Sequence, residues 1–164
     1  MALTPKVVSM LSNVTDKLSK VNPTNAMVWN TVAKEYCNTY LSSAQNAGMG
    51  PATAVPGVAL CGIELIEATA VPIPTGQLTA IKMAKAFQNA FLTFLSVYQT
   101  GPPVTAPGFP GLINAFTEIM SAPTADPTSM ARGICKALDE FTVAAQVIGV
   151  VPGTPPVPFA GSIS

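Results

Sequence analysis

The sequence predicts an all-α fold: a helical bundle of about six helices, built from an internal repeat and followed by an extended Pro-rich C-terminal tail. Three observations support this prediction. Apolar residues recur every three or four positions over long stretches, which is the period of a helix. Three prolines follow a Thr, an Asn or an Asp, the residue types that cap helix starts. Gly-Pro and Pro-Gly pairs recur at a fixed spacing, and all 164 residues fit one domain.

The internal repeat has an offset of 51 residues between its first two copies. At that offset segment 50–57 falls on segment 101–108, so both Gly-Pro and both Pro-Gly pairs coincide. A partial third copy follows after a further 53 residues, where a second Pro-Pro-Val sequence occurs. Each unit is interpreted as a long helix, a Gly/Pro-rich loop and a shorter helix. The chain is divided into an N-terminal helix (1–22), repeat 1 (23–73), repeat 2 (74–126) and a partial repeat 3 with the tail (127–164).

The first two helices are predicted to begin at a Thr-Pro and an Asn-Pro pair. The first runs from Pro5 to about Lys20, and one face carries the apolar residues Val7, Leu11, Val14 and Leu18. The second runs from Thr24 to about Asn46. Its broad apolar stripe is predicted to be core and consists of Trp29, Val32, Ala33, Tyr36, Cys37, Tyr40, Leu41 and Ala44.

The second half of the chain contains two further long helices. The helix from about Gly76 to Tyr98 is apolar on two sides, with Ile81 among its core residues, and is predicted to be the central helix. The last long helix is predicted from Pro127 to about Val150, with a buried C-terminal half. The matched segments 58–68 and 109–122 are predicted as short helices, although 58–68 also fits a strand.

The composition restricts the possible functions. The chain has eight basic and eight acidic side chains, a charged fraction of 10%, and no histidine. Because phosphate binding needs clustered Lys and Arg, zero net charge without a basic run argues against a nucleic-acid partner. The absence of His removes the usual general base and the commonest metal ligand. We therefore expect no enzyme activity, no metal or cofactor site, and no small-molecule substrate.

Side chains with potential chemistry are few. Glu64 and Glu67 lie on one helical face, but a cation site needs more than two oxygen ligands, so they are interpreted as a solvated edge. Lys82 and Lys85 are likewise interpreted as the ordinary polar face of their helix. The three cysteines fit no zinc or CxxC pattern. They are interpreted as buried thiols of a chain made in a reducing compartment: Cys37, Cys61 and Cys135.

The low charge predicts association. Soluble domains carry about 25% charged residues, and apolar or neutral surface promotes association where no net charge opposes it. The expected partners are copies of the same chain and other subunits of an assembly. The uncharged tail docks either onto its own domain or onto a neighbouring subunit, and both alternatives stay open. The predicted interface residues are Pro51, Pro56, Pro102, Pro103, Pro107, Phe109, Pro155, Pro156, Val157, Phe159 and Ile163.

The ends of the chain carry a resemblance to a known class of proteins. The opening Met-Ala-Leu-Thr-Pro and the closing Pro-Pro-Val-Pro-Phe-Ala-Gly-Ser-Ile-Ser, in an Ala- and Pro-rich chain of low charge, resemble small structural proteins of tailed-bacteriophage virions. The resemblance implies a non-enzymatic structural subunit of a large oligomeric particle, at a neck, tail, baseplate or capsid-associated position. It also implies synthesis in the host cytoplasm and residence in the virion, and it carries over no site residue.

The alternative is a membrane-associated or pore-forming helical protein, because segments 78–98 and 141–151 are rich in apolar residues. A bilayer span needs about 20 predominantly apolar residues. Lys82 and Lys85 interrupt the first segment, so the sequence favours a buried helix over a membrane span.

Overall fold

Two of the helices begin directly after a residue whose side chain caps them. The Thr24 hydroxyl accepts a hydrogen bond of 3.2 Å from the N–H of Met27. The Asp126 carboxylate accepts 3.1 Å hydrogen bonds from the N–H groups of Thr128 and Ser129. The Ser129 hydroxyl also donates to this carboxylate, and these bonds lower the pKa of Asp126. The computed structural model of the chain describes residues 4–20, 24–43, 55–70, 76–98, 107–121, 126–151 and 154–162.

The described residues contain the helical bundle that the sequence predicts, so the all-α fold class is confirmed. Its six α-helices are α1 (Thr4–Leu18), α2 (Asn25–Lys34), α3 (Val55–Ala70), α4 (Gly76–Tyr98), α5 (Phe109–Ser121) and α6 (Pro127–Val143). Segment 58–68 lies wholly inside α3, so the helical interpretation is right and the strand alternative is wrong.

The helices close into a ring around one core. Each helix packs against the next one in the chain, and α6 packs against α1 as well as α5. The ring is closed by helix contacts alone, because the first and last helices of the bundle are neighbours. Every helix therefore has an inner face toward the core and an outer face directed away from it.

Aromatic rings occupy the centre of the core. The ring of Phe87 meets Tyr36 edge-on, with centroids 5.4 Å apart and an interplanar angle of 89°. On another side Phe87 stacks on Phe116 at 5.6 Å. Phe91 meets Phe141 at 5.3 Å in a second edge-to-face pair. All five side chains are buried, and each such pair contributes about 0.5–1.5 kcal/mol beyond the burial of apolar area.

The prediction of a central helix is wrong in one respect. α4 has the length that the sequence predicts, but it is one member of the ring, between α3 and α5. Ile81, which was expected in the core, is 38% exposed. A ring of six helices has no position that is enclosed on all sides, so part of the apolar surface of α4 faces outward.

The second helix also differs from the single α-helix that the sequence predicts. After α2 the backbone continues as a π-helical segment, Glu35–Tyr40, and a short 3₁₀ turn, Leu41–Ser43. The rings of Tyr36 and Tyr40 stack at 5.8 Å inside the core. A π-helical turn is wider than an α-helical turn, and here it accompanies the burial of both tyrosines and of Cys37 between them.

The last helix is shorter than predicted. α6 ends at Val143, and the residues expected to extend it to about Val150 instead form strand β1 (Gln146–Val151). Four β-branched residues and a glycine follow Gln146. Both residue types disfavour helix, because β-branched side chains lose rotamer freedom there and glycine loses more backbone freedom. The apolar segment that was expected to end the helix is therefore a β-strand.

The C-terminal tail forms the partner strand, β2 (Val157–Ser162). The two strands pair antiparallel as a hairpin, and Gly149 lies opposite Phe159 in the register. The tail therefore pairs with the strand that precedes it in its own chain, and both docking alternatives, onto its own domain or onto a neighbouring subunit, stay predictions. The internal repeat itself stays a prediction, because much of its diagnostic loop sequence lies outside the described residues.

Replacing Phe87 by Ala removes the ring that joins Tyr36 to Phe116. We expect the free energy of unfolding to fall by about 3–5 kcal/mol, because a large buried ring is lost and leaves a cavity. Urea unfolding followed by circular dichroism measures this change. The matched control is Gln77→Ala, an exposed position on the same helix, for which a change within about 0.5 kcal/mol is expected. Similar losses in both variants would contradict a core centred on Phe87.

Candidate functional site

The predicted interface residues lie in different environments. Pro56 is the second residue of α3, so it belongs to a helix and not to the loop in which it was expected. Pro107 is exposed just before α5, whereas Phe109 opens α5 and packs against the core. The exposed turn of the hairpin contains Pro155, Pro156 and the start of β2 at Val157, and Phe159 lies within β2. The remaining predicted positions lie outside the described residues: Pro51, Pro102, Pro103 and Ile163.

The loop before α5 is held against its own bundle at one glycine. A Cβ added to Gly108 would lie 3.1 Å from both the Cα and the carbonyl oxygen of Phe141 in α6. Only a residue without a side chain allows this close approach without a shift of the backbone. The carbonyl of Gly108 accepts a 2.9 Å hydrogen bond from the N–H of Leu112 and starts α5. This end of the loop therefore has a structural role within the chain.

An outward-facing surface of α3 and α4 collects most of the exposed apolar side chains. Nine large hydrophobic residues are exposed among the described residues, and five of them lie on these two helices. The exposed fraction of the five ranges from 38 to 53%. We define the α3–α4 face as these five apolar residues together with the four charged residues that lie between them: Leu60, Ile63, Glu64, Glu67, Leu78, Ile81, Lys82, Lys85 and Leu92.

A groove between the two helices crosses the middle of the α3–α4 face. It has a volume of about 250 Å³, and Ala68 and Asn89 line it together with two carboxylates from α3 and two ammonium groups from α4. The Asn89 side-chain amide donates hydrogen bonds of 3.2 and 3.3 Å to the two carboxylate oxygens of Glu64. Four of the sixteen charged residues of the chain therefore meet at one groove.

These four charges are not neutralised within the groove. Within the described part of the chain the ion pairs are Lys20 with Asp16, at the C-terminal end of α1, and Lys136 with Glu140, within α6. Neither pair includes a groove residue. The carboxylates of α3 and the lysines of α4 thus lie around one groove without an ion pair closer than 4 Å among the described residues.

Sequence reasoning missed this arrangement. Glu64 and Glu67 were interpreted as one solvated edge, and Lys82 and Lys85 as another. The available signal was the combination of the two pairs, which have opposite sign and the same three-residue spacing on consecutive helices. Because consecutive helices of an up-and-down bundle are neighbours, the two pairs could have been placed on adjacent helices.

The C-terminal hairpin is a second candidate surface. The sheet has two strands within the described residues, so each strand has one edge without a strand partner. Residues 154–158 at its turn are all exposed, and the turn includes a cis Thr154–Pro155 peptide. Residues 141–164 contain no charged side chain. The hairpin thus offers neutral strand edges next to an exposed turn.

The polar groups inside the bundle are structural. The Thr142 hydroxyl donates to the carbonyl of Leu138 at 2.8 Å, so the Tyr36 hydroxyl is the donor to Thr142 at 2.9 Å. The Tyr40 hydroxyl donates to the carboxylate of Asp139. Both contacts join the π-helical segment to α6. Burial raises the pKa of both tyrosines well above its ordinary value, and the hydrogen bond with Asp139 raises that of Tyr40 further.

The three cysteines are free and buried, as the sequence predicts. Contact with the Cys37 thiol and burial raise the pKa of Cys61, and burial raises the pKa of Cys135 to about 12. The thiols of Cys61 and Cys135 are therefore protonated at neutral pH and are weak nucleophiles. Over the described ranges, no group of three or more His, Cys, Asp or Glu residues is placed to hold a metal ion.

Comparisons with protein-family models, with curated proteins and with solved structures give no match. In the part of the chain that the structure describes, none of the helices combines the length and the hydropathy that crossing a bilayer requires. The candidate surfaces are therefore judged from their own geometry, charge and exposure.

The raised pKa values of Tyr36 and Tyr40 determine how the fold responds to alkali. An unfolded tyrosine ionises at about pH 10, whereas the buried hydroxyls stay protonated. Stability from this source is fully present below pH 10 and is lost as the pH rises above it, because only the unfolded state releases the protons. We expect two of the three tyrosines to ionise only as the bundle unfolds.

Tyrosinate absorbance and helical circular dichroism, recorded together in an alkaline titration, test this expectation. The variant Tyr36→Phe with Tyr40→Phe is the control and should lose the tyrosinate absorbance that these two hydroxyls contribute at the unfolding transition. Complete ionisation of all tyrosines while the helical signal is intact would contradict the burial of these hydroxyls.

Proposed function

We propose that this chain is a non-enzymatic structural subunit of a large oligomeric particle, a tailed-bacteriophage virion, at a neck, tail, baseplate or capsid-associated position. Its partners are copies of itself and other subunits of the particle. The observation that carries the proposal is the neutral C-terminal hairpin, whose strands have open edges among the described residues. The same C-terminal segment carries the resemblance to virion structural proteins.

An open strand edge presents unpaired N–H and C=O groups to which another strand can pair. Soluble proteins usually protect such edges with charged side chains or proline. β1 contains neither, whereas β2 contains Pro158. Strand addition is therefore assigned to the free edge of β1. Main-chain hydrogen bonds supply the affinity in this mode of assembly, so it needs no charged interface residue.

The overall charge supports the same function. A charged fraction of 10% and a net charge of zero give little electrostatic repulsion between copies. A chain that stays monomeric at high concentration usually has a surface with more charge and with both signs interspersed. The exposed apolar residues of the α3–α4 face add surface that is covered on assembly.

The purified full-length chain is expected to form assemblies larger than one chain, and the assembled fraction should rise with concentration. Size-exclusion chromatography with light scattering measures the mass across a concentration series. The neutral surface provides the physical reason, because association removes apolar area from water without separating charges from their hydration. A monomer that persists at high concentration would overturn the proposed function.

Val150→Lys tests the role of the β1 edge. A lysine on an edge strand opposes strand addition, so we expect the midpoint concentration of assembly to rise on the order of tenfold or more. The matched control is Val8→Lys on α1, where the native valine is 66% exposed outside both candidate surfaces. Circular dichroism checks that both variants retain their helices. Assembly of Val150→Lys at the wild-type concentration would show that β1 is not the edge used.

A chain that lacks residues 153–164 gives a second measurement, because it removes β2 and leaves the six helices in place. Its helical signal is expected to match that of the full chain while its assembly is weakened. Loss of the helices in this variant would instead show that the tail stabilises its own bundle.

A further inference from the structure

The α3–α4 face has the two properties of a surface that pairs with itself. Its rim is apolar, with Leu60 and Ile63 on α3 and Leu92 on α4 at one end. Its middle carries opposite charges in two separate rows, carboxylates on α3 and ammonium groups on α4. The rows are close enough to line one groove, yet no ion pair joins them within the described residues.

The contacts fix how the two rows are aligned. Glu64 receives hydrogen bonds from Asn89, so these two residues lie at the same level along the helices. Glu67, later in α3, lines the groove with Lys82 and Lys85, which precede Asn89 in α4. The two helices are therefore antiparallel, and the charge rows overlap where Glu67 lies near the level of Lys85, with Glu64 one turn to one side and Lys82 one turn to the other.

This arrangement is complementary to itself under one symmetry operation. A two-fold axis that runs parallel to the helices, in the plane of the contact, places α3 of one copy over α4 of the other at the same level. Glu67 of each copy then lies close to Lys85 of the other copy, so the carboxylate and lysine rows meet at opposite charges twice in the same contact. A two-fold axis perpendicular to the helices in that plane would place like charges together, which costs binding energy.

The apolar residues match under the same operation. Leu60 and Ile63 precede Glu64 in α3, and Leu92 follows Asn89 in α4, so the three lie toward the same end of the antiparallel pair. The parallel two-fold axis places Leu60 and Ile63 of one copy near Leu92 of the other. An apolar contact thus flanks the charged contact on both halves of the interface, as an isologous interface requires.

From these observations we propose that the α3–α4 face is a two-fold contact between two copies of this chain, with α3 of each copy lying against α4 of the other. The proposal rests on the proposed function as an assembling subunit and names the surface and the partner for one of its contacts. It is separate from the hairpin edge, so a chain can lose one contact and keep the other.

Charge reversal tests the contact. The variant Glu64→Lys with Glu67→Lys has lysines in both rows, and the variant Lys82→Glu with Lys85→Glu has carboxylates in both rows. Each variant alone is expected to pair with itself more weakly, with a dissociation constant raised on the order of tenfold or more, because like charges face each other. Sedimentation velocity over a concentration series measures this pairing.

Mixing provides the decisive result. In an equimolar mixture of the two variants every lysine row faces a carboxylate row of the other copy, so pairing is expected to return toward the wild-type dissociation constant. The chain with all four substitutions has exchanged rows and is expected to pair with itself again. A fold merely destabilised by like charges within one groove would recover in the fourfold variant but not in the mixture, so recovery in the mixture separates a contact between copies from a folding defect.

Two controls complete the experiment. Lys136→Glu with Glu140→Lys exchanges the charges of an exposed pair on α6 and should leave pairing unchanged. If a charge-reversed variant does not fold, the milder Glu67→Gln with Lys85→Gln is used at two exposed positions, with a smaller loss of pairing expected. Unchanged pairing of the folded variants, or a mixture that does not recover, would overturn the two-fold contact. A wild-type chain that is monomeric throughout would overturn the proposed function itself.

Discussion

The edge-to-face contact between Tyr36 and Phe87 holds together the parts of this fold that are far apart in the chain. Phe87 also stacks on Phe116 in α5, and the Tyr36 hydroxyl donates a hydrogen bond to Thr142 in α6. One connected set of side chains thus joins the π-helical segment, α4, α5 and α6. Because α6 also packs on α1, these contacts close the ring of helices. The face of each helix that does not point into the ring therefore points outward.

The long, strongly periodic parts of the fold were predictable from the sequence. α4 has its predicted bounds of Gly76 and Tyr98 because its apolar residues keep the helical period over the whole segment. The π-helical segment at Glu35–Tyr40 was not predictable, since the same side chains also satisfy an α-helical stripe. Strand β1 was missed because a short apolar run fits either structure until a partner strand is known. The partner, β2, lies in a proline-rich tail with no alternating pattern.

The candidate site was less predictable than the fold, because it depends on which helices are neighbours. Glu64 and Lys85 are 21 positions apart, and each has an ordinary local explanation as a polar residue on an amphipathic helix. Their relation appears only when α3 and α4 lie side by side around one groove. Composition did indicate that apolar surface would be exposed, but the interface positions were then assigned to the proline-rich loops. Among the described residues, the exposed large apolar side chains lie largely on helices, where periodicity alone does not separate a core face from a contact face.

Ring closure gives a physical basis for the contacts that we propose between chains. The inner faces of six helices are already filled by large aromatic and aliphatic side chains, so the bundle has no further interior to offer Leu60, Ile63 or Leu92. Burying these residues within the same chain would require an additional element over α3 and α4. The C-terminal residues could have supplied one, but they pair with each other as a hairpin. Within the part of the chain that the structure describes, no element covers this apolar area, and in the two-fold contact that we propose it leaves water against a second copy whose charge rows are exchanged with its own.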